Sequence, residues 1–272
     1  MTHDHDHLTE MLDLDAEVLH DFHREVITWV GSLVPDRPRI VDVGAGSGTG
    51  TLALARHLPT AEVIAVDLSE PMLDHLRHRA HALGVADRIR TVEADLDQPW
   101  PDLGPADLVW ASASLHHMAD PGQVLTRALA TLRPGGVLMV TELDSFPRFL
   151  PDGSGADLED RCHAALAKAR DEAGLHMHED WGGRLAQAGF TVEAERRFDI
   201  DLRPPLPAAT GRYAQVSLGR MRHGLEGRVD PNDLVALDAL VADLPNRDDL
   251  TVRATRTVWL ARRPSVGTAT TS

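Results

Sequence analysis

Arg39-Ile40-Val41-Asp42-Val43-Gly44-Ala45-Gly46-Ser47-Gly48-Thr49-Gly50 is a short apolar run that passes directly into glycines. β-Branched residues bounded by glycine predict a strand, and Thr51 to Leu58 then sets Leu52, Ala55 and Leu58 at helical spacing. The turn between them reads as a loop for a nucleotide-type cofactor. Glycine lets the backbone approach a ligand closely, and the N–H groups that open a helix point at it. The dinucleotide fingerprint requires glycine at its first, third and sixth positions, and counted from Gly44 the sixth is Thr49. A nicotinamide oxidoreductase is therefore disfavoured. What stands here is acidic-x-Gly-x-Gly-x-Gly, led by Asp42.

Further strands follow at regular intervals. Glu62 to Asp67 is an apolar run ending in a carboxylate, where an α/β nucleotide fold carries the acid that grips a ribose diol. The competing role for Asp67 is a helix-start acid, although Ser69 makes the better cap for a helix that has Leu73, Leu76, Ala80 and Leu83 on one face and Gly84 as terminator. Ile89 to Glu93 predicts a third strand, leading to Ala94-Asp95-Leu96. Asp107 to Ala111 predicts a fourth, leading to Ser112-Ala113-Ser114-Leu115-His116-His117-Met118. Asp120 then caps a helix begun by Pro121, carrying Val124, Leu125, Ala128, Leu129 and Leu132, and closed by Arg133-Pro134-Gly135-Gly136. Val137 to Glu142 completes the series as a fifth strand.

These motifs, in this order from Arg39 to Glu142, resemble the class I S-adenosylmethionine (SAM)-dependent methyltransferases of small-molecule type, in particular the group of ubiquinone and menaquinone biosynthesis. The resemblance implies an α/β fold, a seven-stranded Rossmann-like sheet with helices on both faces and a helical lid. It implies that Asp42 and the loop Gly44, Ala45, Gly46, Ser47 and Gly48 hold the methionyl end of SAM through the loop amides. Asp67 would take the ribose, Leu68 one adenine face, and Ala94-Asp95-Leu96 the adenine edge. Asp95 would meet the amine, with Asp97 able to exchange with it. Ala111 and Ser112, ending the fourth strand, join the cofactor-binding set. His117 and His116 lie in the segment similar to the family's "LHH" signature and are the candidate bases, His117 first, with one of them facing inward; imidazole titrates near working pH. The alternative is a structural histidine at a strand-to-helix turn. The metal-dependent branch of the family needs a carboxylate just after the fourth strand, and Ser112 in that neighbourhood implies a metal-free reaction.

Composition narrows the partners. The net charge of −15 argues against nucleic acid, which needs a clustered basic patch, and Arg196-Arg197 and Arg262-Arg263 are too short for one. A Pro-Pro-aromatic motif of the base-methylating members is replaced by Ser112-Ala113-Ser114. One cysteine, Cys162, excludes an internal disulfide and suits a reducing compartment. No run of transmembrane length and no basic-then-apolar leader is present, so a cytoplasmic protein without a membrane partner is expected. His176, His178 and Glu179 cluster, and the His-x-His spacing suits a strand-borne metal pair, yet no third ligand for that pair stands at motif spacing, so no metal site is expected. The expected partner is a small-molecule acceptor, and dimerisation stays open.

Seven segments are expected along the chain: a flexible acidic tail over 1–12, in which His3, His5 and His7 alternate with Asp; an N-terminal lid helix over 13–38, marked by Val18, Phe22, Val26, Trp29, Val30 and Leu33; the SAM-binding core over 39–144; the rest of the core with variable helices over 145–206; an inserted helical lid over 207–250; the last strand over 251–264; and a flexible tail over 265–272. The insertion would separate strands six and seven, which the family normally joins by a tight hairpin. It would hold Tyr213, the only tyrosine, and Arg212. A SAM-binding regulatory or structural module without transfer activity is the rival reading, because fold alone does not establish function.

Overall fold

The computed structural model describes residues 2–153 and 155–265. In chain order the helices are α1 (Thr2–Val18), α2 (His20–Gly31), α3 (Thr49–His57), α4 (Glu70–Ala82), α5 (Pro121–Thr131), α6 (Ala156–Glu172), α7 (Trp181–Gln187), α8 (Thr210–His223) and α9 (Pro231–Asp243). The strands are β1 (Arg39–Val43), β2 (Glu62–Asp67), β3 (Ile89–Glu93), β4 (Ala106–Ser112), β5 (Leu132–Leu143), β6 (Thr191–Leu202) and β7 (Val252–Arg262). They form one seven-stranded sheet in the order β3-β2-β1-β4-β5-β7-β6. β1 pairs in parallel with β2 and β4, β2 with β3, and β4 with β5. The chain steps outward from β1 in both directions, so β1 and β4 flank a topological switch point, where α/β sheets bind ligands beyond the carboxyl ends of their strands.

The chain divides into two compact units. One comprises Arg24–Glu142, His178–Arg197 and the segment from Thr257; the other the segment up to His23, Leu143–Met177 and Phe198–Arg256. In the first, Val41, Val43, Ile64, Val66, Val109 and Val140 bury the sheet in a core shared with Val124, Leu125 and Ala128 of α5 and Trp181 and Leu185 of α7. These are the residues whose spacing read as strand and helix in the sequence. β5 begins earlier than expected, at Leu132, so Arg133-Pro134-Gly135-Gly136 lies inside the strand and not at a helix end. The ladder accommodates it by a register shift between Ala106 and Leu108.

The second unit holds α1, α6, α8 and α9. Here α1 runs from Thr2 through the segment expected as a tail over 1–12, and a break at Leu19 separates it from α2. Its partners come from far along the chain. Glu10 takes Nε and Nη2 of Arg212 at 2.7 and 2.8 Å. Asp15 accepts from the Tyr213 hydroxyl and from Arg256 Nη2, both at 2.5 Å, and lies 3.3 Å from His23 Nε2. Polar spacing alone cannot announce a helix secured this way. The insertion between β6 and β7 is helical as expected, and Asp230 caps α9 by accepting from the Asn232 N–H. Of the expected tail over 265–272, residues 266–272 lie outside the described residues.

Candidate functional site

β1 delivers Asp42 and then the glycine turn. Gly44 and Gly48 take φ of +71° and +85°, and both pack where a side chain would collide: a Cβ on Gly44 would lie 2.5 Å from Ser114 Cβ, and on Gly48 2.2 Å from Leu76 Cδ1. The turn is held from below. The N–H groups of Gly44 and Ala45 donate to the Val66 carbonyl at 2.9 and 3.0 Å, that of Gly48 to the Ala45 carbonyl at 2.9 Å, and that of Gly46 to Asp67 Oδ2 at 2.8 Å. Four of the five loop amides expected to hold a ligand are thus bonded within the protein. The turn offers its shape and its carbonyls more than its donors.

Asp42 is 2% exposed and accepts from the Thr51 hydroxyl at 2.6 Å. Burial pushes its carboxyl up to about 7, the Thr51 bond opposing and the charge of Asp67 adding to the rise. A Cβ on Gly50 would come within 2.8 Å of Trp110 Nε1 and 3.3 Å of Asp42 Oδ2, and that indole nitrogen is buried without a partner. Sequence reading missed Trp110, which is indistinguishable there from any apolar residue of β4.

Asp67 ends β2 half-buried. Oδ2 accepts from Gly46 and Oδ1 from the Ser69 N–H at 2.8 Å, so each oxygen retains a free lone pair. Ser69 stands at the cap position of α4, yet its hydroxyl makes no capping bond and is buried without a partner; the expected Ser69 cap is replaced by the Asp67 turn. Beside it Leu68 is 66% exposed, an apolar surface next to a carboxylate. Asp95 accepts from the Asp97 N–H at 2.9 Å. Asp97 in turn accepts from the N–H groups of Ala119 and Asp120 at 3.0 and 3.1 Å, so both of its oxygens are engaged by the turn before α5. Ala94 donates its N–H to the Asp67 carbonyl at 3.0 Å, and Leu96 is buried.

At the end of β4, Ala111 is buried and Ser112 half-buried. Ala113 adopts φ +52°, the one non-glycine residue with positive φ among those described, and its N–H donates to the Thr141 carbonyl at 2.7 Å. Ser114 donates its hydroxyl to the Val43 carbonyl at 2.8 Å. A short 3-10 turn, Leu115–His117, follows. His116 is 3% exposed, with Nδ1 2.5 Å from Glu142 Oε2, while Glu142 Oε1 accepts from the Leu115 N–H at 2.9 Å. His117 is exposed, its ring 4.0 Å from that of His116. Of the two candidate bases, His116 is thus the one that faces inward, against Glu142 on β5, and His117 the one at the surface. Glu142 itself went unnoticed in the sequence, where it closes an apolar strand; a carboxylate ending a buried run was the available signal. Among the described residues no group of three or more His, Cys, Asp or Glu is arranged to hold a metal ion, and Glu179 accepts from Arg184 Nε at 2.8 Å.

Residues 40–136 match a family described as the methyltransferase domain. The 27-O-demethylrifamycin SV methyltransferase of Amycolatopsis mediterranei is 28% identical over 186 residues, covering 68% of this chain and 65% of its own. The tRNA 5-carboxymethoxyuridine methyltransferase of Escherichia coli is 33% identical over 122 residues, 42% of this chain and 46% of its own. In fold, an O-methyltransferase family protein from Burkholderia thailandensis matches with a TM-score of 0.56 at 19% identity, over 93% of this chain and 59% of that one. The chain spans between 25% and 65% of the length of the curated relatives it matches.

Proposed function

We propose, for a chain that belongs through residues 40–136 to the class I SAM-dependent methyltransferase family, that it transfers a methyl group from SAM to a small-molecule acceptor, without a metal ion. The observation that carries the reading is the cradle beyond β1, β2 and β4, whose chemistry fits this cofactor. Asp42 is a buried carboxyl with no cation beside it, held half-protonated near neutrality, which a bound cationic group would relieve. Asp67 keeps lone pairs free for a diol, and Leu68 exposes an apolar side chain for a flat ring.

When bound, SAM supplies a methyl on a sulfonium sulfur, open to in-line displacement. The protein's part is then alignment and proton removal. A carboxylate accepts only, so Glu142 fixes the proton of His116 on Nδ1 and leaves Nε2 as the basic nitrogen. We assign His116 as the base and Glu142 as its positioning residue, with His117 the expectation from sequence that geometry favours less. A small metabolite is preferred to RNA because the net charge is −15, although the tRNA-modifying relative makes RNA a control worth running.

The test is calorimetry with SAM, followed by methyl-labelled SAM with a metabolite extract beside bulk tRNA. SAM should bind at micromolar level, and Asp67→Ala should weaken it by about ten- to a hundredfold, since two hydroxyls lose a charged acceptor. Absence of SAM binding by the unaltered protein would sink the reading. Label appearing on tRNA alone would overturn the acceptor class.

A further inference from the structure

The amino ends of the parallel strands carry a polar cleft, at the opposite end of the sheet from the cradle. Arg39 opens β1, Glu62 opens β2, and Asp107 and Arg133 each stand second in β4 and β5. With Arg37 and Thr60 they line one cavity of about 360 Å³, the size of a site for a small organic molecule. β1 and β2 run in parallel with Arg39 and Glu62 as partners, so both side chains stand on one face of the sheet. Arg37, Glu62 and Arg133 are exposed, and Arg39 is half-buried.

Asp107 is engaged on both oxygens: Oδ2 accepts from the Arg39 N–H at 2.8 Å and Oδ1 from Arg133 Nη1. Arg39 directs Nη2 to the Leu103 carbonyl at 2.8 Å, a neutral partner, and the Arg37 side chain has no partner among the described residues. Neither of these guanidinium groups is paired with a carboxylate of the described residues. Glu62 lines the same cavity, yet it makes no ion pair there either. Two open guanidinium forks suit a phosphate, whose oxygens each can meet two at a time. The open carboxylate repels that phosphate and calls for a donor. Because three guanidinium groups share its cavity, an ammonium donor is repelled where a hydroxyl is not. Thr60 gives its proton to the Asp36 carbonyl and can accept a further hydroxyl. Pro38 alone is apolar in the lining, so the cleft offers no wall for a flat ring. Three guanidinium groups against two carboxylates leave one positive charge, far short of the basic patch that nucleic acid needs.

We propose that the cleft at the amino ends of β1, β2, β4 and β5 binds a sugar phosphate, its phosphate accepting from Arg37 and Arg39 and a sugar hydroxyl donating to Glu62. The site is separate from the cradle and does not depend on the methyl-transfer reading.

The experiment titrates glucose 6-phosphate, glucosamine 6-phosphate, inorganic phosphate and glucose into the full chain by calorimetry, with and without S-adenosylhomocysteine. Glucose 6-phosphate should bind about tenfold more tightly than inorganic phosphate, the worth of a hydrogen bond to a charged group, and glucose should not bind at millimolar concentration. Arg37→Met should weaken both phosphates by about tenfold, whereas Lys168→Met, an exposed cation of α6, should change neither. Glu62→Met should erase the preference for the sugar phosphate while tightening inorganic phosphate, because an acceptor and a repelling charge leave together. Both changed side chains of the cleft are exposed, so the fold does not rest on them. S-adenosylhomocysteine should leave these affinities unchanged, since the cradle lies beyond the other ends of the strands. Equal binding of the sugar phosphate and inorganic phosphate, indifference to Arg37→Met, an equal loss in Lys168→Met, or no binding at millimolar concentration would overturn the site. So would displacement by S-adenosylhomocysteine, which would put the ligand in the cradle. Tighter binding of glucosamine 6-phosphate than of glucose 6-phosphate would overturn the hydroxyl as the group that Glu62 takes.

Discussion

Asp42 is buried with Thr51 as its hydrogen-bond partner and raised from 3.8 to about 7, and on the function proposed above it would tie SAM binding to protons. The raised carboxyl binds a proton in the folded chain that the unfolded chain has already released, so without ligand its stabilising contribution is present below about pH 4 and is lost as pH climbs to about 7. A cation bound beside it favours the charged form. SAM affinity should therefore rise from pH 6 to pH 8 and then level off, with proton release visible as a buffer-dependent heat in calorimetry. Asp42→Asn should flatten both trends; a pH-independent affinity in the unaltered protein would refute the coupling. At the same scale, His116→Ala should lower turnover by about 10²–10⁴-fold with SAM affinity nearly unchanged, as general-base loss does. Glu142→Gln should lower it less and shift the pH profile, and His117→Ala should do little. Equal losses at His116 and His117 would count against the assignment. The residues of the glycine turn and Asp67 were legible in the sequence because backbone geometry demands glycine and strand ends demand position. Glu142 and Trp110 were not, because their roles arise from partners on other strands.

At the scale of elements, local pattern and long-range anchoring part company. α5 and α9 are announced by their caps, Asp120 with Pro121 and Asp230 with Pro231, and both form where expected. α1 has no such announcement and depends on Asp15. Burial pushes the Asp15 carboxyl up, yet Arg256, His23 and Tyr213 together hold it well below the usual carboxylate range. A depressed carboxyl contributes stability above its unfolded value, and loses it only as pH falls through its folded one. Asp15→Asn would strand Arg256, which is 4% exposed, without its charge, at a penalty of about 3–5 kcal/mol. Urea unfolding should register that loss, and hydrogen exchange should localise its largest increase to α1. Exchange unchanged in α1 would mean that apolar packing alone holds the helix.

For the molecule as a whole, the unit built around β1 to β5 repeats motifs whose spacing is set by the sheet, and it was readable from Arg39 to Glu142. The helical unit gathers three separated segments of the chain, and no local period encodes which segments meet. The charge balance of −15 leads to a further expectation: filter binding to bulk tRNA should be undetectable at micromolar protein and physiological salt. Retention on tRNA that falls steeply with added salt would contradict it. The sheet ends at β6, twelve residues long and paired on one side only by β7. Along that strand Glu193, Glu195, Arg196, Arg197, Asp199 and Asp201 interrupt Val192, Phe198 and Ile200. An open rim of this length is a template for other chains, and ionic residues are what keep strangers off it. Replacing several of them by threonine to raise strand propensity would leave the fold intact in the tube and convert a well-behaved protein into one that gels or fibrillises on storage.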